Sequence, residues 1–296
     1  MNEQRKSWLN GIFMGFFLAF LAACGQGDPA GAAAPAETPA PPEETLSAPG
    51  GTRLGLYRPG ANTFHLFSAP PKTPCDVTAP AGGPGDIPLT GCWDGPDAWG
   101  MGVYRPSTST FYLWHGFVPG TPFATVPFGA PGDIPVVGDW DGDGKWTVGV
   151  YRPKDAVFYL RNHNAGGVPD ITAPFGAPGD VPIVGDWDGD GTTTIGVFRA
   201  KDGMFHLRNA NSAGEAVVSV PLGGKGDIPV AGDWTGKGWW TPGVYRPSES
   251  RFYLLKSVAS DSKPGIVIQM GTPGDLPVVW RPPASPKTAA PAPKAP

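Results

Sequence analysis

The sequence has few of the side chains that usually carry enzyme chemistry. Its 296 residues include three cysteines and four histidines, which are scattered along the chain. No Ser-His-Asp order, nucleophile elbow, phosphate-binding loop or thiolate metal site is present. His65 and His206 stand at positions that tyrosine fills in other copies of an internal repeat, so we interpret them as packing residues. We therefore expect no enzymatic activity.

Clustered basic residues and helical periodicity are also missing. The net charge is −4 with 16% charged residues, which argues against a nucleic-acid footprint or a polybasic membrane patch. Apolar residues do not recur at a period of 3.6 beyond the N-terminus, which argues against helices. Glycine and proline, by contrast, number 44 and 38, far above average usage. This composition predicts turns joined by many short strands.

The first residues have the features of an export signal. Arg5 and Lys6 precede an apolar run that is too short for a transmembrane span and ends at Leu21-Ala22-Ala23-Cys24. That ending resembles the bacterial lipobox, which implies a signal peptide over residues 1–23 and lipidation of Cys24. Gly25 resembles the outer-membrane sorting pattern of Gram-negative bacteria. We expect a lipoprotein of the outer membrane or cell surface; the alternative is an ordinary secretory signal with an incidental cysteine.

Two low-complexity segments flank the rest of the chain. Residues 24–50 are alanine, proline, glycine and glutamate with almost no large apolar side chain, so they are predicted to form a disordered tether. An extended proline-rich chain of this length reaches roughly 80 Å at about 3.1 Å per residue. Residues 282–296 are similar but carry two lysines, and are predicted to be a disordered tail, with a weak cell-wall contact as the alternative.

Between these segments, residues 51–281 contain a repeat of 47 residues. A Tyr-Arg-Pro triplet begins at Tyr57, Tyr104, Tyr151 and Tyr245, with Phe198-Arg199-Ala200 in register between the last two. A Gly-Asp pair followed by an aliphatic residue and proline recurs five times, with its acid at Asp86, Asp133, Asp180, Asp227 and Asp275.

Each unit contains four short β-type runs divided by glycine, proline and aspartate. Four strands in a repeat of this size predict the blade of a β-propeller, since a solenoid would need atypical capping repeats that we do not find. The first unit lacks an inner strand, and the segment from Asp275 to Trp280 supplies one at the other end of the chain. The sequence therefore predicts an all-β, five-bladed propeller in which the last strand completes the first blade.

The recurring Asp and Arg residues are predicted to pair across each hairpin through a charge-assisted hydrogen bond. The alternative is that the five arginines bind an anion at the channel mouth. The predicted pairs are Asp86–Arg105, Asp133–Arg152, Asp180–Arg199, Asp227–Arg246 and, through ring closure, Asp275–Arg58.

Two hairpin loops carry the opening half of a calcium loop, in which alternating acids precede a glycine. Their acids are Asp139, Asp141 and Asp143 in one loop and Asp186, Asp188 and Asp190 in the next. Lys145 and Thr192 would offer backbone carbonyls at the seventh position, and Thr147 and Thr194 stand at the ninth. The corresponding positions hold Cys92, Asp94 and Pro96 in an earlier loop and Asp233, Thr235 and Lys237 in a later one, so neither loop has all three acids. The alternative is a pair of Asp-Gly turns without metal.

Three features together resemble the FG-GAP and VCBS-type repeats of bacterial surface proteins: the motif Gly-Asp-Trp-Asp-Gly-Asp-Gly that begins at Gly138, the Gly-Val-Tyr-Arg-Pro that follows it, and the pairs Phe128-Gly129 and Phe175-Gly176. These are similar to the calcium-loop blades of integrin-type propellers. The resemblance covers about residues 51–281 and implies a calcium-stabilised propeller used for adhesion or partner binding, with no catalytic residues. The chain departs from the family in having threonine at the ninth loop position and five units.

Tryptophan recurs beside the loops in two sets, which stand either for packing between blades or for a sugar-stacking surface. Packing is favoured for the first set, Trp93, Trp140, Trp187 and Trp234. The second set is the better candidate for ligand contact and comprises Trp99, Trp146, Trp239 and Trp240.

Cys75 and Cys92 remain once Cys24 is lipidated, so a disulfide between them is a candidate in an exported protein. Together these features predict a monomeric, membrane-anchored binding or scaffold module whose ligand is a protein or carbohydrate of the envelope. The alternative function is a lectin that uses the loop tryptophans. A hydrolase acting in the channel is a third class, but the sequence offers no acid–base pair for it.

Overall fold

The computed structural model describes residue 46 and residues 50–69, 75–96, 98–259 and 263–282. All of them belong to a compact unit that spans Glu43–Pro296. The predicted signal peptide, Cys24 and most of the predicted tether and tail lie outside the described residues. In the part of the chain that is described, no helix is long and apolar enough to cross a membrane.

Within the described residues, twenty β-strands form five antiparallel sheets of four strands each, as the repeat predicts. Blade 1 begins with β1 (Arg53–Arg58), β2 (Thr63–Leu66) and β3 (Val77–Pro80). Blade 2 contains β4 (Ile87–Cys92), β5 (Trp99–Arg105), β6 (Thr110–Leu113) and β7 (Ala124–Pro127). Blade 3 contains β8 (Ile134–Gly138), β9 (Thr147–Arg152), β10 (Val157–Leu160) and β11 (Ile171–Pro174).

The remaining strands follow the same plan. Blade 4 contains β12 (Val181–Gly185), β13 (Thr194–Arg199), β14 (Met204–Leu207) and β15 (Val218–Pro221). Blade 5 contains β16 (Ile228–Gly232), β17 (Thr241–Arg246), β18 (Arg251–Leu254) and β19 (Ile266–Gln269), and β20 (Leu276–Trp280) ends the fold.

The last strand closes the ring. β20 pairs antiparallel with β1, with Leu54 opposite Val279, so the first sheet has the order β20-β1-β2-β3. The innermost strands β20, β4, β8, β12 and β16 each contact the next, and β16 contacts β20. The predicted five-bladed β-propeller with its composite first blade is therefore confirmed.

Packing inside each blade explains the Gly-Val-Tyr-Arg motif. In blade 3, a Cβ on Gly149 would lie 2.7 Å from Leu160 Cδ2, so the second strand needs glycine there for its neighbour to pack. Tyr151 is fully buried and its ring centroid lies 4.6 Å from that of Phe158. The tight turn that follows places Ala156 at a φ of 55°, a conformation that favours glycine.

All five predicted Asp–Arg pairs are present. In each, the arginine donates from Nε and Nη2 to the two carboxylate oxygens at 2.8–3.0 Å. The aspartate side chains are only 1–4% exposed, whereas the arginines are 23–44% exposed. The hydrogen bond to the partner aspartate raises the pKa of every one of these arginines. Each pair therefore joins the first two strands of its blade, as the sequence analysis predicts.

The folded part of the chain begins before residue 51. Leu46, which the sequence interpretation assigned to the tether, is 1% exposed and belongs to the core cluster that contains Leu54, Phe67 and Trp234. A single leucine among alanine and proline gives no periodicity, so its burial was not predictable from pattern alone.

Substitution of one paired aspartate should reveal the strength of these pairs. Asp133→Asn leaves Arg152 without its bidentate carboxylate, and we expect a loss of about 2–3 kcal/mol in the free energy of unfolding, measured by denaturant titration. The control is Asp170→Asn, since Asp170 pairs with Arg161 but is 38% exposed and should cost less than about 1 kcal/mol. Equal losses from the two changes would contradict this assignment.

Candidate functional site

The loops that carry the candidate residues emerge on one face of the propeller. Because neighbouring strands are antiparallel, the first and third connections of every blade share a side. Hydrogen bonds between these connections agree: Asn164 Nδ2 donates to Trp146 O at 3.0 Å, and Asn211 Nδ2 donates to Thr193 O at 2.8 Å. We call this side, with the loops at 139–146, 186–193 and 233–240, the loop face. The opposite side, with the five Asp–Arg pairs, is the pair face.

The loop between β8 and β9 brings together the three predicted acids. Oxygens of Asp139, Asp141 and Asp143 lie within 4.8 Å of one another. The buried Asp139 carboxylate accepts the backbone N–H groups of Gly142, Asp143 and Gly144 at 2.8–3.0 Å. Those bonds curl the loop around Asp139, while Asp141 and Asp143 remain exposed.

The loop between β12 and β13 repeats this arrangement one blade further on. Asp186, Asp188 and Asp190 offer oxygens within 4.8 Å of one another. Asp186 accepts the N–H groups of Gly189, Asp190 and Gly191 at 2.7–3.1 Å. The two loops are therefore equivalent in structure as well as in sequence.

The electrostatics of both loops favour a cation. Burial raises the pKa of Asp139 and Asp186, the backbone hydrogen bonds oppose this, and the two neighbouring acids raise each pKa further. Three carboxylates that converge in this way repel one another when all are ionised. Their oxygens are the hard ligands that Ca²⁺ prefers, so the donor set fits calcium, which would relieve the repulsion.

The other predicted ligands make hydrogen bonds within the protein. The Thr147 hydroxyl donates to Arg161 O at 2.6 Å, and the Thr194 hydroxyl donates to Gly185 O at 3.2 Å. Both threonines begin a strand, and each hydroxyl bonds to a backbone carbonyl at or just after the end of another strand. Lys145 and Thr192 each donate a backbone N–H to the third acid of their own loop, at 2.8 and 2.7 Å.

The two loops without the full set of acids differ as the sequence suggests. In the loop at 233–240, Asp233 accepts N–H groups from Lys237 and Gly238, but no second or third acid follows it. In the loop after β4, the Asp94 carboxylate pairs with His115 Nδ1 instead. Within the described residues, clusters of three metal-ligating side chains occur only in the loops of blades 3 and 4.

Most of the predicted loop tryptophans are core residues. The first set is 2–6% exposed, which confirms packing: Trp93, Trp140, Trp187 and Trp234. In the second set, Trp99 and Trp240 are 7% and 9% exposed and Trp146 is half-buried. Only Trp239, at 37%, presents an open surface to solvent.

Trp99, Trp146 and Trp240 form a tryptophan cluster that spans the channel. The ring centroids of Trp99 and Trp146 are 5.2 Å apart, and those of Trp146 and Trp240 are 5.6 Å apart. Trp99 and Trp146 come from the neighbouring blades 2 and 3, whereas Trp240 comes from blade 5, so the contact between Trp146 and Trp240 crosses the ring. Thr52 and Thr193 occupy the equivalent positions in blades 1 and 4, which leaves room for three indoles.

Backbone hydrogen bonds connect the candidate metal loops to the following blade. Thr193 N donates to Asp139 O and Trp240 N donates to Asp186 O, both at 2.6 Å. The carbonyl of the first acid in each loop therefore holds the end of the next blade's loop, and through Trp240 it holds part of the tryptophan cluster.

The candidate disulfide between Cys75 and Cys92 is not formed. Cys75 precedes the outer strand of blade 1, where its Sγ lies 3.1 Å from Thr78 Oγ1 and 3.7 Å from His65 Nδ1. Cys92 ends the inner strand of blade 2, and its thiol donates to Pro96 O at 3.3 Å. Cys75 lies at the outer edge of its blade and Cys92 beside the channel, so the two thiols are separated along the radius of the ring.

The pair face has a groove that the sequence did not indicate. It lies between blades 2 and 3, has a volume of about 430 Å³, and is lined in part by Ser109, Phe128, Arg152 and Tyr159. The Arg152 guanidinium stacks 4.6 Å above the Tyr159 ring. Nothing in the spacing of these residues signals a groove, because it arises between two blades.

The structure therefore defines a five-bladed β-propeller with two acidic loops. No protein-family model matches the chain, and comparison with curated proteins gives no match. Among solved structures, apo AztD from Citrobacter koseri aligns at a TM-score of 0.37 and 9% identity, over 78% of this chain and 98% of that chain. A second AztD structure from the same organism aligns at 0.35 with the same identity and coverage. Scores this low carry no argument about function.

The two neighbouring tryptophans of blade 5 allow a direct test of the cluster. Trp240→Ala opens a cavity beside the channel and should lower the free energy of unfolding by about 3–5 kcal/mol. Trp239→Ala removes an exposed side chain and should change it by less than about 0.5 kcal/mol. Denaturant titration measures both. A small effect of Trp240→Ala would show that the cluster does not support the ring.

Proposed function

We propose that this chain is a lipid-anchored envelope lipoprotein whose calcium-supported propeller is a binding or scaffold module without catalytic activity. The observation that carries the proposal is the convergence of three carboxylates in each of two adjacent loops. The motifs that resemble FG-GAP and VCBS-type repeats lie in those same blades. The lipobox-like segment before Cys24 supports the anchor.

Calcium in this account has a supporting role. The ion would be held by Asp139, Asp141 and Asp143 in one loop and by Asp186, Asp188 and Asp190 in the other. Because the first acid of each loop also holds the next blade through its carbonyl, neutralising the loop would stabilise the contact between blades 3, 4 and 5. The residues that would do chemistry in an enzyme are not gathered in these loops.

The lectin alternative has less support, because it depends on open indole faces. Of the four tryptophans considered for sugar contact, Trp99 and Trp240 are buried and Trp146 packs between them. Trp239 alone is open, and Lys237 Nζ lies 5.5 Å from its ring centroid. We therefore favour a protein or membrane component of the envelope as the partner.

Thermal unfolding with calcium and with chelator tests the proposed metal sites. At a calcium concentration ten times the dissociation constant, each loop should add about 1.4 kcal/mol to the free energy of unfolding. Sites of this kind bind at roughly 10⁻⁴–10⁻³ M, so millimolar calcium is needed. The variant Asp141→Asn/Asp188→Asn should lose the response, and Thr235→Ala in the loop without the acids should keep it. An unresponsive parent would refute the calcium sites.

The same experiment has a pH dependence of known sign. Because the pKa values of Asp139 and Asp186 are raised in the fold, these acids contribute stability below their unfolded pKa and lose it as pH rises through the folded pKa. In chelator at neutral pH, Asp141→Asn/Asp188→Asn removes part of the repulsion and should melt at or above the parent temperature. A calcium-free variant that melts well below the parent would contradict this reasoning.

A further inference from the structure

The groove between blades 2 and 3 combines an apolar lining with a charged side chain. Its apolar part includes Pro127, Phe128 and Pro169, and its polar part includes Arg152 and Tyr159. A volume of about 430 Å³ falls within the range of ligand-binding clefts, which are mostly apolar and hold a few polar groups that orient the ligand.

The Arg152 guanidinium has one nitrogen left for a ligand. Its Nε and Nη2 donate to the two oxygens of Asp133 at 2.9 Å. Within the described residues, neither Nη1 of Arg152 nor the hydroxyl of Tyr159 has a hydrogen-bond partner. The guanidinium stacks 4.6 Å above the Tyr159 ring, so the two free donors lie close enough to serve one ligand.

Blade 5 shows what this combination of side chains binds. The Arg246 guanidinium pairs with Asp227 and lies 4.8 Å from the Tyr253 ring centroid. There the Glu249 carboxylate accepts Arg246 Nη1 at 3.2 Å through one oxygen and the Tyr253 hydroxyl through the other. The hydrogen bond from Tyr253, together with that from Arg246, lowers the pKa of Glu249, so the two donors favour an ionised carboxylate.

In blade 3 the residue equivalent to Glu249 is Asp155, which is one methylene shorter. Asp155 is exposed and forms no ion pair with Arg152 within the described residues. The arginine and tyrosine of blade 3 are therefore arranged like those of blade 5, but the chain supplies no carboxylate to them. A ligand that carries a carboxylate would satisfy both donors.

The other three blades do not offer this pair of donors. In blade 2, Arg105 Nη1 donates to the Tyr112 hydroxyl itself at 3.3 Å. In blades 1 and 4, His65 and His206 hold the position of the tyrosine. The blade with a free arginine–tyrosine pair is thus also a blade that borders the groove.

We propose that the pair-face groove binds a glutamate side chain from an extended, proline-containing segment of a protein partner. The carboxylate would bridge Arg152 Nη1 and the Tyr159 hydroxyl, as the glutamate of the chain itself does in blade 5. Neighbouring residues of the segment would pack on Pro127, Phe128 and Pro169, since extended proline-rich peptides fit grooves lined by aromatic side chains. This inference rests on the proposed function as a binding module and places that binding on the face opposite the candidate metal loops.

The test follows the arginine side-chain N–H signals of the whole chain by nuclear magnetic resonance after isotope labelling at arginine. The probe is acetyl-Pro-Glu-Pro-amide, and the same peptide with glutamine is the neutral control. We expect the glutamate peptide to shift the Arg152 signal saturably, with a Kd on the order of 1 mM, and the glutamine peptide to bind about tenfold more weakly. The Arg246 signal should not move, because Glu249 already occupies that pair.

Substitutions at position 155 provide matched variants. Asp155→Glu places a carboxylate at the position of Glu249, so it should compete with the peptide and abolish the Arg152 shift. Asp155→Gln has the same length without the charge and should keep the shift. Tyr159→Phe removes one donor and should weaken binding about tenfold while the pair between Arg152 and Asp133 stays intact.

Three results would overturn the inference. They are an Arg152 signal that does not move at a tenfold excess of peptide over the expected Kd, a glutamine peptide that binds as well as the glutamate peptide, and an Asp155→Glu variant that binds like the parent. Free acetate that shifts Arg152 as strongly as the peptide would assign the groove to small organic acids and overturn the protein partner.

Failure of this inference is distinguishable from failure of the proposed calcium sites. The groove and the metal loops lie on opposite faces, so the Arg152 shift should be equal in calcium and in chelator. A peptide that does not bind while calcium still raises the melting temperature would overturn the groove and leave the calcium sites standing. Peptide binding without any response to calcium would overturn the calcium sites and support the groove.

Discussion

The buried aspartate at the start of each inner strand is the interaction on which the ring depends. Its carboxylate accepts the arginine of the second strand and also a backbone N–H from the connection that arrives from the preceding blade, such as Ala177 N for Asp180 at 2.9 Å. One side chain thus fixes two strands and the entry to the blade. In blade 1 the same pair joins Asp275 to Arg58, near the two ends of the fold, and secures the closure made by β20 and β1.

The Asp–Arg pairs that stabilise the ring lie on the pair face, whereas the candidate metal loops lie on the loop face. There the loops of blades 3 and 4 gather carboxylates at a cost in repulsion, and the carbonyls of Asp139 and Asp186 hold the following blade. The tryptophan cluster fills the adjacent part of the channel, so the loop face has a filled centre beside the two acidic loops. The two sets of residues lie on opposite faces because the strands are antiparallel, so the first and third connections of every blade are on the same side.

The repeat made the fold predictable from the sequence, because residues that recur every 47 positions must occupy equivalent places. The five Asp–Arg pairs, the composite blade and the clustering of Asp139, Asp141 and Asp143 follow from spacing alone. The burial of Trp99 and Trp240 did not follow, since a contact across the channel depends on threonine at the two remaining positions. The burial of Leu46, the φ of 55° at Ala156 and the groove beside Arg152 likewise depend on neighbours far away in sequence.

The central claim is that calcium is bound by the two loops with three converging carboxylates and by no other loop of the ring. Isothermal titration calorimetry of the mature chain with calcium measures the number of sites directly. We predict two ions per chain, reduced to one by Asp141→Asn and to none when Asp188→Asn is added. Two ions that persist in the double variant, or no heat of binding at millimolar calcium, would contradict the account.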